Sequence, residues 1–193
     1  ARWGQLLSMS PSRLVLVDPN ANSLNYTGSL PNNLHIIKIE SAVSRYGGSQ
    51  VLYQTNVLSG SSLLQPNMNF LKSGQCPEAT KWYFLPIKKV NLETLSIKTL
   101  LKEFSGQAFF LKIDIQGYEL ELLKGAKSFL QRGDIALIEV ETSLVRDPVM
   151  QNAAKLPEVI DFMSRCGYQV LDLSPVYEEV RMQSHKTKLG VLG

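Results

Sequence analysis

Three carboxylates and a lysine stand where side chains could do chemistry. Asp18 closes the apolar run Leu14-Val15-Leu16-Val17 and is followed by Pro19. An acid at the end of such a strand can accept hydrogen bonds from ribose hydroxyls, or it can cap a helix that begins at Pro19. Lys112 and Asp114 lie two apart in the run from Ala108 to Asp114, so a strand there puts both on one face. A lysine flanked by Phe110, Leu111 and Ile113 would be costly to bury unpaired. Glu139, at the end of the next apolar run, is its expected partner; a structural ion pair is the plainer alternative. Asp114 is the better placed for chemistry. It sits where a strand becomes a turn, and Gly117 leaves room for a ligand against the backbone. A turn-forming Asx residue is the alternative there.

Other chemistries find no support. Ser59-Gly60-Ser61-Ser62 lacks the spacing of a nucleophile elbow. His35 and His185 are isolated from any metal-ligand pattern, and His35 reads as a packed strand residue. Neither Cys76 nor Cys166 has a partner nearby, and there is no phosphate-binding glycine loop. Asn25-Tyr26-Thr27 is a glycosylation triplet of a kind common by chance.

The elements that must position these residues follow from periodicity. Leu14–Val17, His35–Ile39 (running on toward Val43), Ala108–Asp114, Ile135–Val140 and Tyr168–Leu173 read as strands, mostly short and uniformly apolar as in sheets covered on both faces. A short helix is expected through Leu24 and Tyr26. Gly47-Gly48 predicts a hairpin turn with a return strand at Gln50–Tyr53. A strand is expected near Trp82–Ile87. From Asn91 the spacing of Leu92, Leu95, Leu100, Leu101 and Phe104 predicts a helix. A second helix runs from Tyr118 to Leu130, with Gly125 inside it marking close packing on a strand. A third starts near Pro157 and ends at Gly167. Residues 55–80 are rich in Ser, Asn and Gly without periodicity, and read as a lid or specificity insertion. Such a segment should be poorly ordered without ligands and lie over a pocket. Strands alternating with helices predict an α/β sheet with parallel strands and ligands outside the carboxyl ends. Asp18, Ser41, Asp114 and Glu139 stand at those ends.

The chain has 193 residues, with 20 basic and 17 acidic side chains and a net charge of +3. This length fits a single domain over 1–193. With 44% hydrophobic and 19% charged residues, a disordered or fibrous chain is excluded. Two cysteines cannot make a disulfide framework, which predicts a reduced, cytoplasmic protein. No apolar run reaches the roughly 18 residues of a membrane span, and the charge is too small and too dispersed to predict nucleic acid as a partner.

The segment from Phe110 to Ala126, Phe-Leu-Lys-Ile-Asp-Ile-Gln-Gly-Tyr-Glu-Leu-Glu-Leu-Leu-Lys-Gly-Ala, resembles the hallmark of the FkbM-type methyltransferase family. Val17-Asp18-Pro19-Asn20 resembles the family's acidic-Pro pair, Ser41-Ala42-Val43-Ser44 its third-strand end, Ser59 to Leu63 its small-residue insertion, and Ile138-Glu139-Val140 its fifth strand. The resemblance implies a Rossmann-like class I methyltransferase sheet flanked by helices. It also implies that the chain is a fragment, lacking the family's first strand and cut short in the last. Ala1-Arg2-Trp3-Gly4 resembles only the tail of the glycine-rich turn.

The implied cofactor is S-adenosylmethionine, with Gly4, Asp18, Ser41, Ala42 and Asp114 around it. The implied reaction is O-methylation of a hydroxyl on a sugar, glycan or secondary metabolite. Asp114 is the first choice of general base, with Lys112 and Glu139 beside it facing one pocket. An alternative has Asp114 and Glu139 holding a divalent cation that lowers the hydroxyl pKa. Two competing readings are a catalytically inactive binding module of the same fold and a nicotinamide-dependent dehydrogenase.

Overall fold

The computed structural model describes residues 13–25, 34–104, 110–144 and 149–174. Seven strands occur among them: β1 (Arg13–Asp18), β2 (His35–Glu40), β3 (Ala42–Ser44), β4 (Gly48–Thr55), β5 (Pro86–Ser96), β6 (Phe110–Ile113) and β7 (Leu137–Val140). The α-helices are α1 (Met68–Leu71), α2 (Glu78–Phe84), α3 (Ile97–Glu103), α4 (Glu119–Arg132) and α5 (Leu156–Arg165), with 3₁₀ turns at Ala21–Leu24 and Leu58–Gly60.

The architecture is mixed α/β. Among the described residues the strands form three separate sheets: the pair β1-β2, the triplet β3-β5-β4 and the pair β6-β7. Both pairs are parallel. Asp18 ends β1 opposite Glu40, and Lys112 lies opposite Glu139 in the β6–β7 register. A parallel pair needs a long crossover. Here α4 supplies it between β6 and β7, and its apolar face is the centre of the core. Leu122, Leu123, Ala126, Phe129 and Leu130 pack with Ile97 and Leu101 of α3, Ile113 of β6, Ile135, Val159 of α5 and Cys166. Gly125 is required by this packing, because a Cβ there would lie 2.6 Å from Ile97 Cγ2 and 2.9 Å from the Arg45 carbonyl. The close neighbours are thus α3 and the turn after β3, not a strand. Helix α4 ends at Gly133, which is left-handed at φ 74°, as an αL cap requires.

Several expectations are corrected. The helix expected from Asn91 begins only at Ile97, because β5 runs through to Ser96. Thr94 is the reason: its hydroxyl lies 2.7 Å from Ser44 Oγ and donates to the Gly48 carbonyl at 2.9 Å, a buried knot that needs an extended backbone. Strand β4 pairs antiparallel with β5 rather than folding back on the preceding strand, while β3 breaks from β2 at Ser41 and joins β5 in parallel. The strand expected near Trp82–Ile87 is helical as far as Phe84, the end of α2, and becomes strand only at Pro86, where β5 begins. Residues 168–173 form no strand, and Val170, Leu171 and Leu173 are exposed. His35 is exposed rather than packed. The helix expected through Tyr26 is a 3₁₀ turn over Ala21–Leu24; Tyr26 lies outside the described residues.

Residues 55–80 hold short elements, including α1, and bury Leu71 and Cys76. Among the described residues no helix is long and apolar enough to cross a membrane.

Candidate active site

Two strand ends carry the nominated residues. At the β1–β2 end, Asp18 Oδ1 accepts from the Asn20 amide at 2.7 Å, closing a tight local turn. The cap of the following 3₁₀ turn is Asn20, whose side chain accepts from the Asn22 amide at 3.1 Å; Asp18 is therefore not the cap. No hydrogen bond reaches its second oxygen among the described residues. Ser41 follows β2 and spends its hydroxyl on the Ala42 carbonyl at 2.9 Å. Ala42 is buried. Gly4 lies outside the described residues.

At the β6–β7 end the arrangement is denser. Lys112 Nζ donates to Asp114 Oδ2 at 3.1 Å, and Gln116 Nε2 donates to Asp114 Oδ1 at 2.9 Å. The expected partner of Lys112 was Glu139. The two are opposite each other in register, but Lys112 closes on Asp114. Its side chain is 41% exposed, so the burial that would have demanded a partner does not exist. Glu139 is exposed. The amide of Glu141 donates to the Ile113 carbonyl at 3.0 Å, extending the ladder one step and setting Glu141 beside Asp114. Strand alternation puts Lys112, Asp114, Glu139 and Glu141 on one face.

The Glu141 carboxyl is pushed up to about 7, first by burial, then by the neighbouring Asp114 carboxylate and a hydrogen bond with it; Lys112 opposes this and Glu119 adds to it. Two carboxyls that share a site cannot both ionise at ordinary carboxylate pH. Lys112 and Gln116 both direct their donors at Asp114, and the carboxyl that is raised is that of Glu141.

The turn from Asp114 to Gly117 is held from several sides. Gln116 and Gly117 have φ of 55° and 101°. Glu119, 3% exposed, accepts from the Ile115 amide at 3.1 Å and the Gly117 amide at 2.9 Å through the same oxygen. Burial raises its pKa while these amides pull it down. Gly117 offers a ligand no open space: an added Cβ would lie 2.9 Å from Ala153 Cβ and 3.2 Å from Met150 Cβ. The insertion reaches this turn too. Ser62 Oγ donates to the Ile115 carbonyl at 3.5 Å, and the Asn67 amide donates to the Val149 carbonyl at 2.6 Å.

A cleft of about 450 Å³ adjoins the turn, lined by Gly117, Glu121, Lys124, Asn152, Lys155 and Glu158. A larger groove of about 610 Å³ runs past Gly133, Ile135 and Tyr168 at the other end of α4, away from these carboxylates. No group of three or more His, Cys, Asp or Glu side chains among the described residues is arranged to hold a metal ion. Both Asp114 oxygens are engaged by donors, Lys112 Nζ and Gln116 Nε2.

Asp114, beside Lys112 and the turn at Gly117, lies at the end of β6 within the segment that resembles the hallmark; the acid beside it is Glu141, where Glu139 was expected. The family model of the methyltransferase FkbM domain matches residues 8–170. The chain belongs to the FkbM methyltransferase family. No curated protein and no solved structure matched it. Within this FkbM domain, Glu119 and Glu141 are the residues that sequence reasoning passed over. The signal for Glu141 was available: Glu139 and Glu141 alternate in Ile138-Glu139-Val140-Glu141, so both belong to one face. Which of them meets Asp114 depends on where β7 ends relative to β6.

Proposed function

We propose that this FkbM domain is an S-adenosylmethionine-dependent O-methyltransferase whose acceptor is a hydroxyl of a sugar, glycan or secondary metabolite. The observation that carries the reading is the meeting of Asp114 and Glu141 at the ends of β6 and β7, set by the strand register and the bond from the Glu141 amide to the Ile113 carbonyl, with the Glu141 carboxyl raised by burial and by Asp114. The β1–β2 end fits the cofactor. Asp18 uses one carboxylate oxygen in its own turn and, among the described residues, has the other open to ribose hydroxyls, the role of an acid at such a strand end. Ser41 and Ala42 border the same end. When bound, S-adenosylmethionine supplies an electrophilic methyl group on a sulfonium.

The chain's own residues handle the proton. Above about pH 7 the Glu141 carboxylate accepts the proton of the acceptor hydroxyl, and the hydroxyl oxygen gains nucleophilicity. Asp114 adds to the burial that holds the Glu141 carboxyl near 7, and Lys112 opposes that shift. A base poised near the working pH is the efficient one. Orientation of the acceptor beside this pair supplies a larger share of the rate than the proton transfer does. We assign no divalent ion and no nucleic acid to the reaction. Cys76 and Cys166 are free, buried thiols, and burial raises both pKa values; that state suits a reducing cytoplasm.

The test measures S-adenosylhomocysteine release against a panel of sugar and polyhydroxylated acceptors, alongside cofactor affinity by calorimetry. Asp114→Asn and Glu141→Gln should each lower turnover and leave affinity for S-adenosylhomocysteine intact. Asp18→Ala should weaken that affinity by about 1.5–3 kcal/mol, the contribution of hydrogen bonds to a charged group. Tight cofactor binding with no transfer to any acceptor would favour the inactive binding module.

A further inference from the structure

We propose that Glu119 is a positioning residue: its buried carboxylate sets the backbone turn through which Gln116 aims Asp114 at Glu141. This rests on the acid-base reading above. The chain of contacts is short. Glu119 Oε1 accepts from the amides of Ile115 and Gly117, the two residues flanking Gln116. Gln116 is thereby held at φ 55°, a left-handed conformation that a non-glycine residue adopts at a cost and only when its surroundings impose it. In that conformation its side-chain amide donates to Asp114 Oδ1 at 2.9 Å. Lys112 takes the other oxygen at 3.1 Å, so both Asp114 oxygens are fixed in direction.

Helix capping alone does not account for Glu119. It is the first residue of α4, and a small polar residue one position earlier would serve that helix end. Instead Tyr118 holds the N-cap position without a side-chain bond, and a carboxylate is buried to 3% exposure. Burying a carboxylate is costly unless amide donors satisfy it. The donors used belong to the Asp114 turn, so turn and acid form one unit. Ser62 and Met150 brace the turn from other segments, but neither bonds its two amides.

Glu119→Gln and Glu119→Asp separate the roles. Glutamine keeps an oxygen at the same reach, whereas aspartate is one methylene short. In Glu119→Asp, amide hydrogen exchange at Ile115 and Gly117 should quicken about tenfold or more, the loss of bonds to a charged acceptor. The carboxyl NMR signal of Asp114 should move in the ligand-free protein, and kcat should fall on the order of tenfold to a hundredfold with KM and S-adenosylhomocysteine affinity unchanged. Glu119→Gln should restore exchange, signal and kcat together. If Glu119→Asp fails to fold, Gln116→Ala replaces it: the Asp114 signal should move and kcat fall while the two amides stay protected.

An Asp114 signal that is unmoved when the turn amides open would overturn the proposal, as would unchanged exchange in a folded Glu119→Asp protein. These readouts need no methyl acceptor. Absence of any methyl transfer in the unaltered protein would sink the methyltransferase reading and leave this one decided by exchange and the Asp114 signal.

Discussion

The two parallel strand pairs end in different ways. After β1, the polar end is made locally: Asp18 bonds an amide two residues away, Asn20 bonds one two residues further, and Leu24 is the buried anchor. After β6, the turn is imposed from a distance. Glu119 comes from the next helix, Ser62 from the insertion, Met150 and Ala153 from the segment after β7. Beneath it lies the core shared by α3, α4 and α5. The role proposed for Asp18, accepting hydroxyl bonds, tolerates a local turn. Two carboxyls forced together repel each other, and their separation adds to the shift that burial begins, so the backbone carrying them must be rigid. The distant contacts supply that rigidity.

The largest test of this contrast is stability. Leu123 in α4 is fully buried, and Val15 in β1 is half-buried. Leu123→Ala should cost about 2–5 kcal/mol and Val15→Ala about 1 kcal/mol, read from denaturant unfolding. Equal costs would erase the contrast. Next comes the turn itself. Gly117→Ala combines φ of 101° with a Cβ 2.9 Å from Ala153 Cβ; the strain should cost about 1–3 kcal/mol. Gly48, at φ 79° in open space, bears the conformational strain without the clash, so Gly48→Ala should lower the melting temperature by less.

A smaller effect sharpens the electrostatics. Glu141 titrates near 7 in the folded chain against an ordinary 4.5. The folded state therefore binds more protons than the unfolded one between these values, so the stabilisation is complete below about pH 4.5 and is lost as pH rises through 7. Glu141→Gln should flatten that decline and make the protein more stable than the unaltered chain at pH 8, measured by unfolding at several pH values. An unchanged slope would remove the coupling with Asp114. The smallest effect belongs to Lys112. Its pair with Asp114 is partly exposed on both sides, so Lys112→Ala should change stability by less than about 1 kcal/mol, while the acid limb of the turnover profile moves to higher pH as Asp114 repels the Glu141 anion more strongly.

Legibility differed by element. Strands β1, β6 and β7 and helices α4 and α5 were readable because each carries its own pattern: a short apolar run, or one apolar face, closed in α5 by Gly167. The triplet β3-β5-β4 was not. Leu92, Leu95, Leu100 and Leu101 satisfy helical spacing, yet Ser44, Gly48 and Thr94 bond one another across the fold and hold the first of these residues in a strand. The strand expected near Trp82 is a helix up to Phe84, and Asn56, after β4, donates to the Trp82 carbonyl at 3.0 Å.

At the site, the sequence alone was sufficient for the Asp114 turn, for Asp18 at a strand end and for the family, because these live in contiguous residues whose spacing is itself the signal. Which acid meets Asp114 was decided by the register of β6 against β7, which places Glu141 rather than Glu139 beside it. Which group holds the turn was decided by the direction in which α4 leaves it, bringing Glu119 back under Ile115 and Gly117. Both are relations between separate strands and helices, and a one-dimensional pattern carries no distance between segments until the chain has packed.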